Sequence, residues 1–252
     1  MYLYELHAHT SQTSACSEIR GAELADFYKE AGYTGLVITD HFFNGSCAVR
    51  KHIPWAERVD RFMEGYRDAW TRGQEIGLDV FFGFEFGNAT HFLIYGVDGR
   101  WLLDHPHCDQ LDAKDFCELV HEDGGYVIQA HPARESIYGY GVYVMPHRVD
   151  GAEALNACNN DFENLMCRAY TEAYKLPQFC ASDNHIGMRE RVGAMELPFR
   201  AKSLHELIPA LLRGEGKMHM YYPERVDGRL VMREGELYPE MDCPYGWDAR
   251  FD

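Results

Sequence analysis

The sequence predicts an α/β domain built as a closed or nearly closed barrel of parallel strands with helices between them. Short β-type runs alternate with amphipathic helical stretches from the first residues onward. About seven strand candidates can be counted, most of them separated by helices. A chain of 252 residues with 46% hydrophobic content is long enough for one sizeable core. An open doubly wound sheet would give a similar string, and the pattern alone leaves both arrangements open.

The first strand is expected at residues 3–6 and the first helix at 21–31. In that helix Leu24, Phe27, Tyr28 and Ala31 fall at helical spacing, Glu23, Asp26, Lys29 and Glu30 form the solvated side, and Gly32 is a fitting stop. A second strand at 35–39 precedes one long helical stretch around 55–76. Further strands are expected at 80–84, 92–97, 126–129, 152–155 and 178–181, with helices near 113–121 and 161–174. No internal repeat, low-complexity segment or flexible linker interrupts this series. After about residue 222, Asp227-Gly228, Pro239, Pro244 and Gly246 break up the chain. The expected division is a catalytic domain over 1–222 and an extension over 223–252, a hairpin or packing arm. Its Trp247 and Phe251 would cover a barrel end or a partner subunit.

Twenty-four basic against forty acidic side chains give a formal charge of -16. Such a surface repels nucleic acid and anionic membranes, yet divalent cations held by some of the carboxylates would leave a pocket attractive to a small phosphorylated molecule. No apolar run approaches the roughly 20 residues that cross a bilayer. The eight cysteines form no C-x-x-C pair and follow no leader-like segment, a pattern of reduced thiols in a cytoplasm.

Thirteen histidines are many for this length, and their placement carries the functional reading. His7 and His9 follow the first strand at a spacing that points both rings to one side, as two ligands of one metal require. An H-x-H alone is just as compatible with an ordinary polar strand end. The other strands, however, finish in Thr39-Asp40-His41, Gly83-Phe84-Glu85, Ala130-His131-Pro132 and Ser182-Asp183-Asn184-His185. Active sites of barrels and open α/β sheets lie at the carboxyl ends of strands, so these groups should meet in space. His91 opens the strand after Glu85 and is a further member. Mixed imidazole and carboxylate with no obvious thiolate suits Zn²⁺, Mn²⁺ or Fe²⁺. The number of groups suggests two or three ions, with Glu85 the natural bridge because a carboxylate has two oxygens to share. His52, His105, His107, His121, His147, His205 and His219 fall in loops or helices, where a solvent-exposed or structural role is expected.

This ordered series resembles the polymerase and histidinol phosphatase, or PHP, domain. The resemblance rests on His7-Ala8-His9-Thr10, Ile38-Thr39-Asp40-His41, Gly83-Phe84-Glu85, His91-Phe92-Leu93, Gln129-Ala130-His131-Pro132 and Ala181-Ser182-Asp183-Asn184-His185, and so runs from the start to about residue 185. It implies a distorted (β/α)₇ TIM-like barrel with up to three divalent metals and phosphoesterase activity. Carried over, His7, His9, Glu85 and Asp183 would hold the first metal, Glu85 with His131 much of the second, and His41 with His185 the third, with His91 near the second. One departure stands out: many members place Asp or His eight residues after the first histidine, where this chain has Ala15 between Ser14 and Cys16. The third ion would then be weak or absent, or completed by water, substrate or Cys16; the first option is favoured, because a buried cysteine is more often a small hydrophobe.

The expected chemistry is attack on phosphorus by hydroxide formed between two metals. Glu85, Asp183 and His185 are the expected catalytic side chains. Arg134, Arg189 and Arg191 are candidates to clamp phosphate oxygens, and Asn156 to line the pocket. The expected substrate is a small phosphorylated metabolite or nucleotide, with nucleic acid no larger than a short oligonucleotide. Three rivals remain: an amidohydrolase-like amide or ester hydrolase, a nuclease or polymerase-associated module, against which the acidic balance and the lack of a basic, aromatic-interleaved stripe argue, and a non-catalytic metal-binding protein.

Overall fold

The computed structural model describes residues 1–87, 90–134 and 141–239. It is a mixed α/β structure around a curved sheet of ten strands. In chain order the strands are β1 (Tyr2–Ala8), β2 (Gly35–Ile38), β3 (Asp79–Phe86), β4 (Phe92–Tyr95), β5 (Tyr126–Gln129), β6 (Gly151–Asn156), β7 (Gln178–Ala181), β8 (Val192–Leu197), β9 (Lys217–Val226) and β10 (Arg229–Glu234). The helices are α1 (Gly21–Glu30), α2 (Trp55–Phe62), α3 (Glu64–Ile76), α4 (Gly99–Asp104), α5 (Ala113–Glu122), α6 (Asp161–Tyr174) and α7 (Leu204–Leu212).

The order across the sheet is β10-β9-β8-β1-β2-β3-β4-β5-β6-β7. From β1 to β7 it curls into the expected TIM-like barrel, but the ladder does not close. At the seam only Ala8 and Asn184, just beyond β7, form a parallel bridge. Strands β1, β2 and β3 are parallel, as are β5, β6 and β7, whereas β4 runs antiparallel to both of its neighbours. A short connection after β3 cannot carry a crossover, so the chain turns straight back. That reversal corrects the expectation of a wholly parallel barrel.

The stretch expected as one helix around residue 64 is two, α2 and α3, meeting at Met63, which ends one and begins the next. The glycine two residues later brings α3 against the loop after β1: a Cβ on Gly65 would stand 1.9 Å from Thr10 Oγ1 and 2.8 Å from Asp40 Oδ2. Strand β8 and helices α4 and α7 were not anticipated, and the β9–β10 hairpin begins at Lys217, before the expected boundary. Every residue of β8 is buried, so it shows no alternation for sequence to reveal. Pro209 sits inside α7, where its pattern reads as a breaker.

Asp227 (φ 49°) and Gly228 (φ 78°) make the two-residue turn between β9 and β10, the left-handed geometry that Asp-Gly supplies readily. The hairpin extends the main sheet through β8. The calls on Pro244, Gly246, Trp247 and Phe251 lie outside the described residues. No helix among the described residues is long and apolar enough to cross a membrane.

The barrel interior holds Tyr4, Leu6, Val37, Leu93, Ile128, Leu155 and Phe179, joined by Leu207, Ile208 and Leu211 of α7. An aromatic layer including Phe42, Phe62, Phe84 and Phe116 packs β3 and β4 on α2 and α5. Leu24, Phe27 and Tyr28 of α1 close β1 and β2 from outside. Apolar side chains fill the foundation of the barrel, and most of its buried polar groups gather toward the rim.

Candidate metal centre

The carboxyl ends of β1, β2, β3, β5 and β7 and the start of β4 meet at one place. His7, His9, His41, Glu85, His91, His131, Asp183 and His185 all converge there. Glu85 is the hub: Oε1 is 2.8 Å from His91 Nδ1, 3.2 Å from His131 Nε2 and 3.4 Å from His7 Nε2. Its Oε2 is 2.7 Å from His41 Nδ1 and 3.7 Å from His9 Nε2. Asp183 is a second focus, with Oδ1 3.1 Å from His9 Nε2, 3.4 Å from His7 Nε2 and 3.5 Å from His185 Nδ1. Four overlapping groups could hold metal: His7–His9–Glu85, His7–His131–Asp183, His41–Glu85–His91 and His9–His41–His185, each with ligand atoms within 4.8 Å of one another.

The surroundings decide which ring nitrogen faces the centre. Glu153 Oε1 lies 2.8 Å from His7 Nδ1, so a proton is held there and Nε2 is the nitrogen turned toward the centre. Ser14 gives its one hydroxyl proton to Asp40 Oδ1 at 2.7 Å, and can only accept from His9 Nδ1 at 3.1 Å. His9 Nε2 is thereby bare. His185 Nδ1 is 2.9 Å from the carbonyl of Asp183, which cannot donate, and its Nε2 is left for other use. His7 Nε2, His9 Nε2, His41 Nδ1 and Glu85 Oε2 are all buried without a hydrogen bond. Their close neighbours include both oxygens of Glu85 and the carboxylate of Asp183.

Charge is distributed accordingly. Burial disfavours the ionised forms of Glu85 and Asp183, but the imidazoles around Glu85, and His7 and Arg134 beside Asp183, outweigh it and hold both well below the carboxylate range. Burial likewise opposes protonation of His7 and His41, yet the carboxylates of Asp183, Glu153 and Glu85 hold His7 well above its ordinary value, and Glu85 brings His41 to about 10. Burial with His185 and His41 nearby keeps His9 well below, and burial with Arg134 takes His131 down to about 4. The ion-free centre is thus held together by carboxylates and imidazoliums in the places where cations would otherwise serve.

His131 (φ 28°) and Asp183 (φ 53°) both adopt left-handed backbone, uncommon for residues with a Cβ. Each stands immediately past a strand end, where such strain often accompanies function.

The candidates for phosphate contact are placed differently from one another. Arg134 donates to Asp183 Oδ2 at 2.5 Å, Asn156 Oδ1 at 2.8 Å and Asn159 Oδ1 at 2.7 Å, which fixes its guanidinium beside the centre. Arg189 makes one long bond, 3.3 Å, to the carbonyl of Asp183, and lines an open cleft of about 460 Å³ with Cys158, Ile186 and Glu190. Arg191 is engaged by the carbonyls of Ala157 and Asn159 and by Asp161, so its donors face protein. Asn156 is fully buried between Arg134 and Glu153.

Several residues were missed from sequence. Glu153 is fully buried, and its Oε2 accepts from His131 N and Asn156 Nδ2, both at 2.7 Å. A lone carboxylate in the otherwise small and apolar run 151–155 was the available signal. Asp40 accepts from Thr10 N, Thr10 Oγ1 and Ser14 Oγ, and stood within the motif that drew attention to His41. Glu5 accepts five donors: Leu6 N, His7 N, Tyr28 OH, Ser182 N and Ser182 Oγ. Cys16 stands in contact with both His41 and His185, which oppose the effect of its burial and bring the thiol down to about 6. The remaining histidines sit apart: His105 faces Asp123, His121 faces Asp150, and His219 bridges Glu196 and Glu234.

No family model and no curated protein matches the sequence. Solved structures do match. A two-domain protein from Bacteroides vulgatus described as containing a predicted PHP-like metal-dependent phosphoesterase superposes with a TM-score of 0.64 at 14% identity, over 88% of this chain and 64% of that one. PsfC from Pseudomonas syringae gives 0.56 at 15% identity, over 82% and 87% of the two chains. This chain therefore spans less than two thirds of the first protein's length. The likeness shows that this chain shares the fold of these proteins.

Proposed function

We propose that the chain is a PHP-type metal-dependent phosphoesterase acting on a small phosphorylated metabolite, a nucleotide or a short oligonucleotide end. One observation carries the reading: imidazole and carboxylate groups from distant strand ends converge on a buried centre in which four nitrogen and oxygen atoms lack any hydrogen bond. An unsatisfied buried polar atom costs about 1–3 kcal/mol, and bound cations would satisfy all four at once. The donor set and its bare ring nitrogens fit divalent cations.

His7, His9, Glu85 and Asp183 would hold one ion, Glu85 and His131 with His91 a second, and His41 with His185 a third. Zinc, manganese or iron bound there supplies Lewis acidity and neutralises charge on a phosphoryl group. The chain's own residues complete the arrangement. Glu153 keeps the His7 proton on Nδ1, and Ser14 does the same for His9, so each Nε2 stays available. Glu85, with two oxygens facing different histidines, is shaped to be shared. Arg134 holds Asp183 in place and still has N–H groups to offer a phosphate oxygen; Arg189 offers a second cation at the cleft. Glu85, Asp183 and His185 are proposed as the catalytic side chains.

An amide or ester hydrolase on a similar barrel commonly bridges its metals with a modified lysine. The bridging place is filled here by Glu85, which favours the phosphoester reading. The test is turnover of p-nitrophenyl phosphate and a panel of phosphometabolites by protein reconstituted with Mn²⁺ or Zn²⁺. Activity should disappear with chelator and return with metal. Fully metallated protein that turns over no phosphoester would overturn the proposal.

A further inference from the structure

Resting on the metal-centre reading above, we infer that Cys16 is a thiolate ligand of the ion held by His41 and His185, giving this position a sulfur donor and a preference for zinc over manganese or magnesium. Three imidazoles already gather there. The rings of His9 and His41 lie 4.4 Å apart, those of His9 and His185 4.2 Å, and those of His41 and His185 5.8 Å. One ligand atom from each of the three lies within 4.8 Å of the others. The Cys16 side chain touches both His41 and His185 from the exposed rim.

The loop carrying Cys16 is anchored to the same residues. Ser17 Oγ donates to the carbonyls of His9 and His185, both at 3.0 Å, and Glu18 N donates to the carbonyl of His185 at 2.9 Å. Ser14 pairs with Cys47, and Ala15 N reaches the carbonyl of Ser46 at 2.8 Å. Cys16 is therefore held over the histidines on both sides. Imidazoles alone give the position no negative charge. A thiolate supplies one, its proton passing to solvent as the sulfur–metal bond forms, and soft sulfur favours zinc over manganese and magnesium.

Spectroscopy on cobalt-loaded protein tests this without reference to any substrate. The intact chain should show a sulfur-to-cobalt charge-transfer band in the near ultraviolet. Cys16→Ser should lose that band together with one bound ion per chain, measured by elemental analysis. Cys16→Asp should keep the ion and lose the band. Cys158→Ser is the control, since Cys158 Sγ lies 3.3 Å from the carbonyl of Asp183 and is another thiol beside the centre; its band should persist. Retention of band and ion count in Cys16→Ser, or loss of the band in Cys158→Ser alone, overturns the assignment. Cobalt bound without any sulfur band overturns it while leaving the phosphoesterase reading intact, and a chain that binds no divalent ion overturns both.

Discussion

Replacing Glu153 by Gln tests the organisation of the centre most sharply, because it removes a charge and almost no volume. Glu153 is completely buried, with Oε1 2.8 Å from His7 Nδ1 and Oε2 2.7 Å from both His131 N and Asn156 Nδ2. An amide has only one oxygen. With that oxygen toward His7, its NH₂ opposes two donors; turned the other way, the NH₂ opposes His7 Nδ1–H and drives the ring proton onto Nε2. The first arrangement leaves two buried donors unsatisfied, at about 1–3 kcal/mol each, and the second withdraws His7 as a ligand. Loss of a carboxylate behind a metal-bound imidazole typically lowers affinity about 10–100-fold, or roughly 1.4–2.8 kcal/mol. Competition titration of Zn²⁺ against a chromophoric chelator, beside thermal melts of chelator-treated protein, reads both quantities. A Glu153→Gln protein with wild-type affinity and an unchanged melting temperature would refute the argument that Glu153 orients His7.

Gly65→Ala should place a methyl against Thr10 and Asp40, which together position Ser14 and His9. Overpacking of about 1–3 kcal/mol corresponds to a fall in melting temperature of roughly 2–12 °C, measured by calorimetry; an unchanged value would show that α3 can move away at no cost. In the ion-free protein the His41 pKa of about 10 lies above the ordinary imidazole value of 6.5. The stability it contributes is whole below about pH 6.5 and is lost as pH rises through about 10, so melting temperature in chelator should decline across that interval. Ion affinity should climb over the same range as the proton leaves, and a flat melting profile would mean that His41 is already neutral.

The strands that carry the centre were readable because each ends in a residue with metal-binding chemistry, and the end of a strand is where an α/β fold exposes such groups. His7, His9, His41, Glu85, His131, Asp183 and His185 could all be named on that ground. Hydrophobic periodicity failed where both faces are buried, as in β8, and where a proline interrupts a helix, as in α7. The antiparallel β4 is invisible to composition, since strand direction depends on connection length and pairing. Glu153 was overlooked because its carboxylate lies mid-strand, away from the strand ends. Cys16 was in view as a possible ligand, but whether it points inward depends on a loop whose path is set by Ser17 and Ser14.

Glu5 gives the barrel a property of its own. Where the ladder leaves a single bridge, this carboxylate accepts from Leu6 and His7 on one margin and from Ser182, 177 residues away in sequence, on the other. The hoop is thus fastened by a clasp whose two halves stand far apart along the chain. Closing so long a loop carries a large entropic cost before any contact rewards it, which makes this a slow step. Without Ser182, Glu5 would lose two of its five hydrogen bonds.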